Sequence, residues 1–223
     1  MIKILNLYAG IGGNRKLWEG DIMVTAVEID PKIARVYQGF FPNDRVIVDD
    51  AHQYLLEHFD EFDFIWSSPP CPTHSHIRKE LAVEQRKQNK PVYPDMKLYE
   101  EILFLIGYFK GKWVIENVIS WYNPLIKPQE LAHHYFWANF IIGKFEIETR
   151  EHHGTIFNLA KRKNVDLSKL VGGIDKRAVL RNCVEPEVGL HIFNSAFNLI
   201  QQTLKETAIP PLNKFKGILA EQS

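Results

Sequence analysis

The 223-residue sequence has few cysteines, no long apolar run and no excess of either charge. Its two cysteines, Cys71 and Cys183, are too few for a disulfide scaffold and indicate a reducing compartment. No apolar stretch approaches the roughly 20 residues of a membrane-spanning helix. The first residues lack the pattern of a secretory signal peptide. We therefore expect a cytoplasmic protein without a membrane partner.

Charge and composition narrow the class of protein without identifying a ligand. The 27 Lys and Arg residues balance 27 Asp and Glu residues, which neither supports nor excludes a nucleic-acid partner. A hydrophobic content of 45% excludes a disordered or low-complexity chain. Basic residues are concentrated in Arg78–Lys90 and Lys144–Arg181. These stretches are either ordinary solvated surface or patches that face phosphates.

Short apolar segments alternate with helical segments, which predicts an α/β fold with a doubly wound, mostly parallel sheet. The predicted strands are Ile2–Leu7, Ile22–Val27, Val46–Val48, Phe62–Trp66, Trp113–Ile115 and Tyr135–Ile142. The predicted helices are Asn14–Glu19, a helix capped by Asp30, Met96–Phe109 and Val188–Leu204, whereas residues 146–176 are typical of a loop.

Polar residues stand at or just after the ends of the predicted strands. They are Asn6, Glu28, Asp50, Ser67, Glu116 and Asn117. Ligands of parallel sheets bind beyond the carboxyl ends of the strands. We therefore expect these side chains to converge on one crevice.

The first candidate site is the glycine-rich turn Tyr8-Ala9-Gly10-Ile11-Gly12-Gly13, which follows the first strand. Glycines let the backbone turn tightly and approach a ligand closely. Together with Glu28 at the end of the second strand, the turn indicates a nucleoside whose ribose hydroxyls bind the carboxylate. The last glycine of a dinucleotide fingerprint is missing, which disfavours a nicotinamide cofactor.

The second candidate site is Ser67-Ser68-Pro69-Pro70-Cys71-Pro72, in which prolines surround a cysteine at a strand end. His74, His76 and Arg78 follow, and nearby positive charge would promote the thiolate of a nucleophile. Cys71, His74 and His76 could also bind zinc, but a fourth ligand is not evident and we expect no metal.

The third candidate is Glu116, directly after a buried strand. It is either a solvated carboxylate or a partly buried acid with a raised pKa that protonates a ring nitrogen. A reactive cysteine at the neighbouring strand end favours the second interpretation.

In this order, the three sites resemble those of the cytosine-5 DNA methyltransferases, and the resemblance covers nearly the whole chain. The matching segments are Leu5–Gly13, Glu28-Ile29-Asp30, Asp50, Pro70-Cys71, Glu116-Asn117-Val118, His134-Tyr135-Phe136-Trp137 and Asn182-Cys183-Val184. The resemblance implies a Rossmann-like methyltransferase fold. It also implies that S-adenosyl-L-methionine is bound by Tyr8, Ala9, Gly10, Gly12, Gly13, Glu28, Ile29, Asp50, Asn182 and Val184.

The resemblance further implies covalent catalysis on a cytosine that has been flipped out of double-stranded DNA. The catalytic residues it implies are Pro70, Cys71, Glu116, Asn117 and His134. A loop over 74–94 would close on the base, with Arg78, Lys79, Arg86 and Lys87 available for phosphates. Lys161 and Arg162 would belong to a short DNA-facing segment.

Two features depart from the family pattern. His134 stands where the family carries an arginine, and it could replace that arginine if protonated or through a single hydrogen bond. Residues 143–181 are much shorter than a target-recognition domain, between a catalytic domain at 1–142 and a closing segment at 182–223. We expect a short target sequence or a separate recognition subunit, and a monomer in a prokaryotic or phage-infected cell.

Three alternatives remain at this point. The substrate could be tRNA, because neither the charge nor the short recognition segment distinguishes RNA from DNA. The chain could be a non-catalytic partner protein, although the presence of both Cys71 and Glu116 argues against that. A variant enzyme could transfer a modified methyl group, and nothing in the sequence tests this.

Overall fold

The computed structural model describes residues 1–76, 92–145 and 155–197. The predicted phosphate contacts Arg78, Lys79, Arg86 and Lys87, and the end of the predicted last helix, lie outside these residues. Among the described residues, no helix combines the length and the apolar character needed to cross a membrane.

Seven strands and six α-helices are described. The strands are β1 Ile2–Leu7, β2 Ile22–Val27, β3 Arg45–Ile47, β4 Phe64–Ser67, β5 Lys112–Val118, β6 Gln129–Leu131 and β7 His134–Ala138. The helices are α1 Pro31–Phe40, α2 Ala51–His58, α3 Lys97–Tyr108, α4 Ile156–Arg162, α5 Lys176–Asn182 and α6 Pro186–Phe197. A 3₁₀ turn, Phe59–Glu61, follows α2.

The strands form one sheet in the order β3-β2-β1-β4-β5-β7-β6. Strands β1 to β5 pair in parallel, β7 runs antiparallel to β5, and β6 runs antiparallel to β7. Six of the seven strands therefore share one direction. The predicted α/β fold with a doubly wound, mostly parallel sheet is confirmed.

Both faces of the sheet are covered, which explains why the parallel strands are almost continuously apolar. Along β1, Leu5 and Leu7 pack on one face against α2 and α3. Ile4 packs on the opposite face with Trp18 and residues of α6. The period-two alternation of β1 thus contributes to both hydrophobic cores.

The carboxyl ends of the parallel strands lie in register. Leu7 pairs with both Val27 and Ser67, Val27 pairs with Ile47, and Ser67 pairs with Ile115. The residues that follow these positions line one edge of the sheet. They are Tyr8, Glu28, Val48, Ser68 and Glu116.

The predicted helix at Asn14–Glu19 is wrong, because this segment consists of turns. Its side chains contact residues that are distant in the sequence and do not line one face of a helix. The Arg15 guanidinium pairs with Asp44, and the indole N–H of Trp18 donates to the Gly189 carbonyl. These contacts offset the helical hydrogen bonds that the segment does not form.

The prediction of a loop over residues 146–176 is also wrong for its described part, since α4 lies at 156–162. The Thr155 hydroxyl caps α4 by accepting from the Asn158 N–H, and Asp175 caps α5 by accepting from two backbone N–H groups. Both helices are short and begin at polar cap residues, so the hydrophobic pattern of this polar stretch did not indicate them. The predicted strand Tyr135–Ile142 ends at Ala138 and pairs with a short strand, β6, that was not predicted.

Helix α6 packs directly against the segment that follows the glycine-rich turn. A Cβ atom at Gly189 would overlap the backbone of Asn14, so only glycine permits this approach. The C-terminal part of the described chain is thereby attached to the start of the fold.

We expect Gly189→Ala to reverse the usual effect of a glycine-to-alanine change in a helix. Overlap with the Asn14 backbone should lower the free energy of unfolding by about 1–3 kcal/mol. Gly39→Ala in α1, where an added Cβ meets open space, should raise it by about 0.5–1 kcal/mol. Urea unfolding of both variants measures the difference. Equal stabilisation by the two changes would contradict the packing described for α6.

Candidate active site at the carboxyl edge of the sheet

The glycine-rich turn after β1 is held by the Glu28 carboxylate. Its Oε2 accepts from the Gly10 N–H at 2.9 Å, and its Oε1 accepts from the Asp30 N–H at 2.9 Å. Gly10 has a φ of +55°, and an added Cβ would meet no atom within 4 Å. Glu28 therefore holds the backbone of the turn through hydrogen bonds. The space beside the Gly10 Cα atom is open, so a ligand can approach the backbone there.

The other two glycines of the turn lie against protein. A Cβ at Gly12 would overlap the rings of Tyr37 and Phe41, and a Cβ at Gly13 would overlap Cys183 and the Val184 carbonyl. The predicted cofactor residues Gly13 and Val184, 171 positions apart in sequence, therefore touch in the structure. The other residue predicted there, Asn182, ends α5 with an exposed side chain.

Asp50 and Ile29 lie at neighbouring points of the same edge. Asp50 caps α2 by accepting from the N–H groups of His52 and Gln53. Its Oδ2 atom is 3.9 Å from Lys97 Nζ and remains partly exposed. The Ile29 side chain is 67% exposed, which leaves an apolar surface beside Glu28 that a planar ring can cover.

The cysteine segment is anchored to two strand ends. The Ser68 N–H donates to the Leu7 carbonyl at 3.4 Å, and the Asn117 amide donates to the Pro69 carbonyl at 3.0 Å. Pro70 is exposed and Cys71 is partly exposed. Asn117 thus orients the backbone that carries Cys71.

The electrostatic surroundings of Cys71 differ from those expected. Burial, and then the negative charge of Glu116, raise the pKa of the Cys71 thiol. Of the residues expected to supply positive charge, Arg78 lies outside the described part of the chain, and His74 is buried, which lowers the pKa of its imidazole, with its Nδ1 2.6 Å from the Tyr122 hydroxyl. The described surroundings of Cys71 therefore favour the thiol over the thiolate.

Glu116 and His134 face each other across β5 and β7. Glu116 Oε1 is 3.6 Å from His134 Nε2, and both side chains are mostly buried. His134 Nδ1 lies 2.9 Å from the Ala132 carbonyl. Because a carbonyl only accepts, Nδ1 carries a hydrogen and Nε2 faces Glu116.

The turn that presents His134 is strained. Ala132 and His133 have φ values of +49° and +61°, between the paired residues Leu131 and His134. Residues other than glycine rarely adopt this left-handed conformation, and in folded proteins it is frequent at functional sites.

Sequence analysis missed Glu101, a fully buried carboxylate on α3. It lies within hydrogen-bonding distance of Tyr8, Ser67 and His52. Its signal was present in the sequence, since Glu101 falls on the same helical face as the buried residues Leu98, Ile102 and Leu105. A carboxylate on the apolar face of a helix indicates a buried polar network.

The predicted DNA-facing segment at Lys161 and Arg162 needs correction. Arg162 pairs with Glu185 at 3.0 Å, and the adjacent Lys163 is buried and pairs with the same carboxylate. These two cations attach α4 to the chain before α6. Lys161 is exposed.

A metal site is not evident in the part of the chain that the structure describes. That part contains no group of three or more His, Cys, Asp or Glu side chains placed to hold an ion.

The Cys71 surroundings predict how its reactivity depends on pH. Because its pKa is raised, alkylation by iodoacetamide should still accelerate with pH beyond about 8.5, the pKa of a free thiol. Glu116→Gln removes the negative charge that raises the pKa, so the midpoint of the rate–pH curve should move to lower pH. The Cys71→Ala protein provides the background from Cys183. A midpoint unchanged by Glu116→Gln would contradict the electrostatic effect of Glu116 on Cys71.

Comparison with known proteins identifies the family. Residues 2–124, more than half of the chain, match the family described as C-5 cytosine-specific DNA methylase. The Type II methyltransferase M.Bsp6I of Bacillus sp. (strain RFL6) is 27% identical over 124 residues, which is 50% of this chain and 39% of that protein. The chain thus matches about two fifths of this curated relative.

Solved structures include two similar proteins of low structural overlap. Spodoptera frugiperda DNMT2 is 26% identical, with a TM-score of 0.34 over 53% of this chain and 36% of the other. The Entamoeba histolytica methyltransferase EhMeth is 15% identical, with a TM-score of 0.34 over 53% and 38% of the two chains. On the match over residues 2–124, the chain belongs to the C-5 cytosine-specific DNA methylase family.

Proposed function

We propose that this protein transfers a methyl group from S-adenosyl-L-methionine to carbon 5 of cytosine in double-stranded DNA. The main support is the convergence of Cys71, Glu116 and His134 at the same sheet edge as the open glycine-rich turn. The family match covers the residues that supply this turn, Cys71 and Glu116. The similarity to M.Bsp6I, a Type II methyltransferase, supports a role in restriction–modification.

The glycine-rich turn fits the cofactor. Gly10 leaves room for close approach to the backbone, Glu28 lies beside the turn for a ribose hydroxyl, and Ile29 offers an apolar surface to the adenine. Tyr8, Ala9, Gly12 and Gly13 shape the turn, Asp50 is assigned to the adenine amino group, and Asn182 and Val184 close the far side. When bound, the cofactor supplies an electrophilic methyl group on a sulfonium.

Cys71 performs the covalent step. Its thiolate adds to carbon 6 of the cytosine, which makes carbon 5 nucleophilic. After carbon 5 has taken the methyl group, it loses its proton to solvent, and elimination of the Cys71 sulfur restores the aromatic base. Because its raised pKa favours the thiol, Cys71 releases its proton to solvent as the substrate binds, and this forms the nucleophilic thiolate. Pro70 and Asn117 hold the segment in place.

Glu116 and His134 control the proton on the base. Glu116 holds a proton at ring nitrogen 3 while the thiolate is attached, so that negative charge does not accumulate on the ring. His134 orients the Glu116 carboxyl through Nε2. In this chain an imidazole therefore stands in the role that an arginine has in the family pattern.

DNA recognition in this proposal depends on the basic residues that are predicted to contact phosphates. A cytosine in a duplex must be flipped out, which costs a few kcal/mol. We assign phosphate contacts to Arg78, Lys79, Arg86, Lys87 and Lys161. The short 143–181 segment favours a brief target sequence or a separate recognition subunit. We propose that the protein acts as a monomer in the cytoplasm.

The first test is nucleoside mass spectrometry of DNA and RNA from a methylation-free bacterium that expresses the protein. We expect 5-methylcytosine in DNA, and none with Cys71→Ala, because the covalent step is lost. Bisulfite sequencing then reports the target sequence. Methylation confined to tRNA would retain the chemistry and overturn the DNA assignment. A folded wild-type protein that neither methylates DNA or RNA nor binds S-adenosyl-L-methionine would overturn the proposal, whereas cofactor binding without methylation would support the separate recognition subunit.

The His134 assignment has its own test. His134→Ala should lower kcat on the DNA substrate by about tenfold, equivalent to about 1.4 kcal/mol, because Glu116 loses the group that orients it. His58→Ala is the matched control, since His58 pairs with Glu61 at 2.6 Å on the protein surface. Steady-state kinetics with both variants should show a loss only for His134. Equal rates would remove His134 from the catalytic residues.

A further inference from the structure

Glu101 is a buried ionisable group that the proposed mechanism does not use. It lies on α3, and its side chain has no solvent exposure. Burial of a carboxylate is unfavourable unless its oxygens accept hydrogen bonds. An apolar residue would pack at this position between Leu98 and Leu105 at lower cost. The presence of a carboxylate therefore indicates a role for its hydrogen bonds.

Both oxygens of Glu101 are occupied. Oε1 accepts from the Tyr8 hydroxyl at 2.6 Å and lies 3.1 Å from His52 Nδ1. Oε2 accepts from the Ser67 hydroxyl at 2.6 Å. Burial, followed by the charge of Glu101, raises the pKa of Tyr8, so the phenol keeps its proton and donates. The hydrogen bond to Glu101 raises the pKa of His52.

The three partners belong to three different segments of the site edge. Tyr8 begins the glycine-rich turn after β1, and Ser67 ends β4 just before the Cys71 segment. His52 lies in the first turn of α2, next to the cap residue Asp50. A single carboxylate therefore joins the cofactor side of the site to the nucleophile side.

The Tyr8 backbone adds a second observation. Tyr8 has a φ of +53°, a left-handed conformation that a bulky aromatic residue adopts at an energetic cost. The hydrogen bond from its hydroxyl to Glu101 holds the side chain in place while the backbone turns towards Gly10. Loss of this bond would let the turn relax away from its present geometry.

We propose that Glu101 is a positioning residue that sets the geometry of the cofactor turn through Tyr8 and of the Cys71 segment through Ser67. This inference rests on the proposed function of the site. It assigns to Glu101 no contact with either substrate. Its effect on the reaction passes through two hydroxyl groups, and the two connections can be cut separately.

The experiment measures S-adenosyl-L-methionine affinity by calorimetry, kcat on DNA, and thermal stability for four variants. Glu101→Gln places an amide among three donors and should weaken cofactor binding about tenfold or more while also lowering kcat. Tyr8→Phe should reproduce the loss of affinity. Ser67→Ala should lower kcat and leave the affinity near that of the wild type. Glu57→Gln is the matched control, because Glu57 is an exposed carboxylate on α2 that accepts from the Gln53 amide at the protein surface, and it should behave as the wild type.

The outcomes separate a positioning role from a purely structural one. If Tyr8→Phe and Ser67→Ala lower the Tm but leave both affinity and kcat unchanged, Glu101 only stabilises the fold and the proposal fails. If Glu101→Gln does not fold, Tyr8→Phe and Ser67→Ala still decide, since both keep the carboxylate. A wild-type protein that neither binds the cofactor nor methylates nucleic acid would overturn the proposed function and this inference with it. An active wild type whose variants all match it would overturn this inference alone.

Discussion

Close backbone packing around the turn after β1 is the constraint on which the site depends. Gly13 lies directly against Cys183 and Val184, and Gly189 lies directly against Asn14. Each contact joins the first fifteen residues of the chain to residues 170 or more positions later. With a methyl group at either glycine, α6 and the segment before it would move outward. Cys183 and Val184, which lie against the glycine-rich turn, would move with them.

The parallel register of the sheet then brings the remaining groups to this turn. Because the ends of β1, β2, β3, β4 and β5 are paired in register, the residues that follow them share one edge. Side-chain alternation divides these groups between the two faces of the sheet. Glu116 shares the face of Val114 and Phe136, where α6 packs. Glu101 approaches from the opposite face with α3. The Glu116–His134 pair and Glu101 therefore lie against separate hydrophobic cores.

The described groups near Cys71 favour its protonated form. Cys71 lies beside a carboxylate, and the neighbouring His74 is buried and bonded to Tyr122. Both features favour a thiol over a thiolate until a substrate changes the surroundings. A protonated thiol is also less prone to alkylation and oxidation. The proposed reaction therefore requires that binding of the base and activation of Cys71 occur together.

Sequence by itself determined the features that depend on local pattern. Apolar runs predicted β1 and β2 to the residue, and the parallel order of strands followed from their alternation with helices. The positions of Glu28, Cys71 and Glu116 near strand ends followed from the same pattern. Tertiary structure decided the rest, because the deciding contacts join residues far apart in the chain. Asn14–Glu19 forms turns since Arg15 and Trp18 bind distant partners, and Arg162 turns inward to Glu185. The partners of Glu101 lie 34 to 93 positions away, so no local pattern could reveal that one carboxylate connects them.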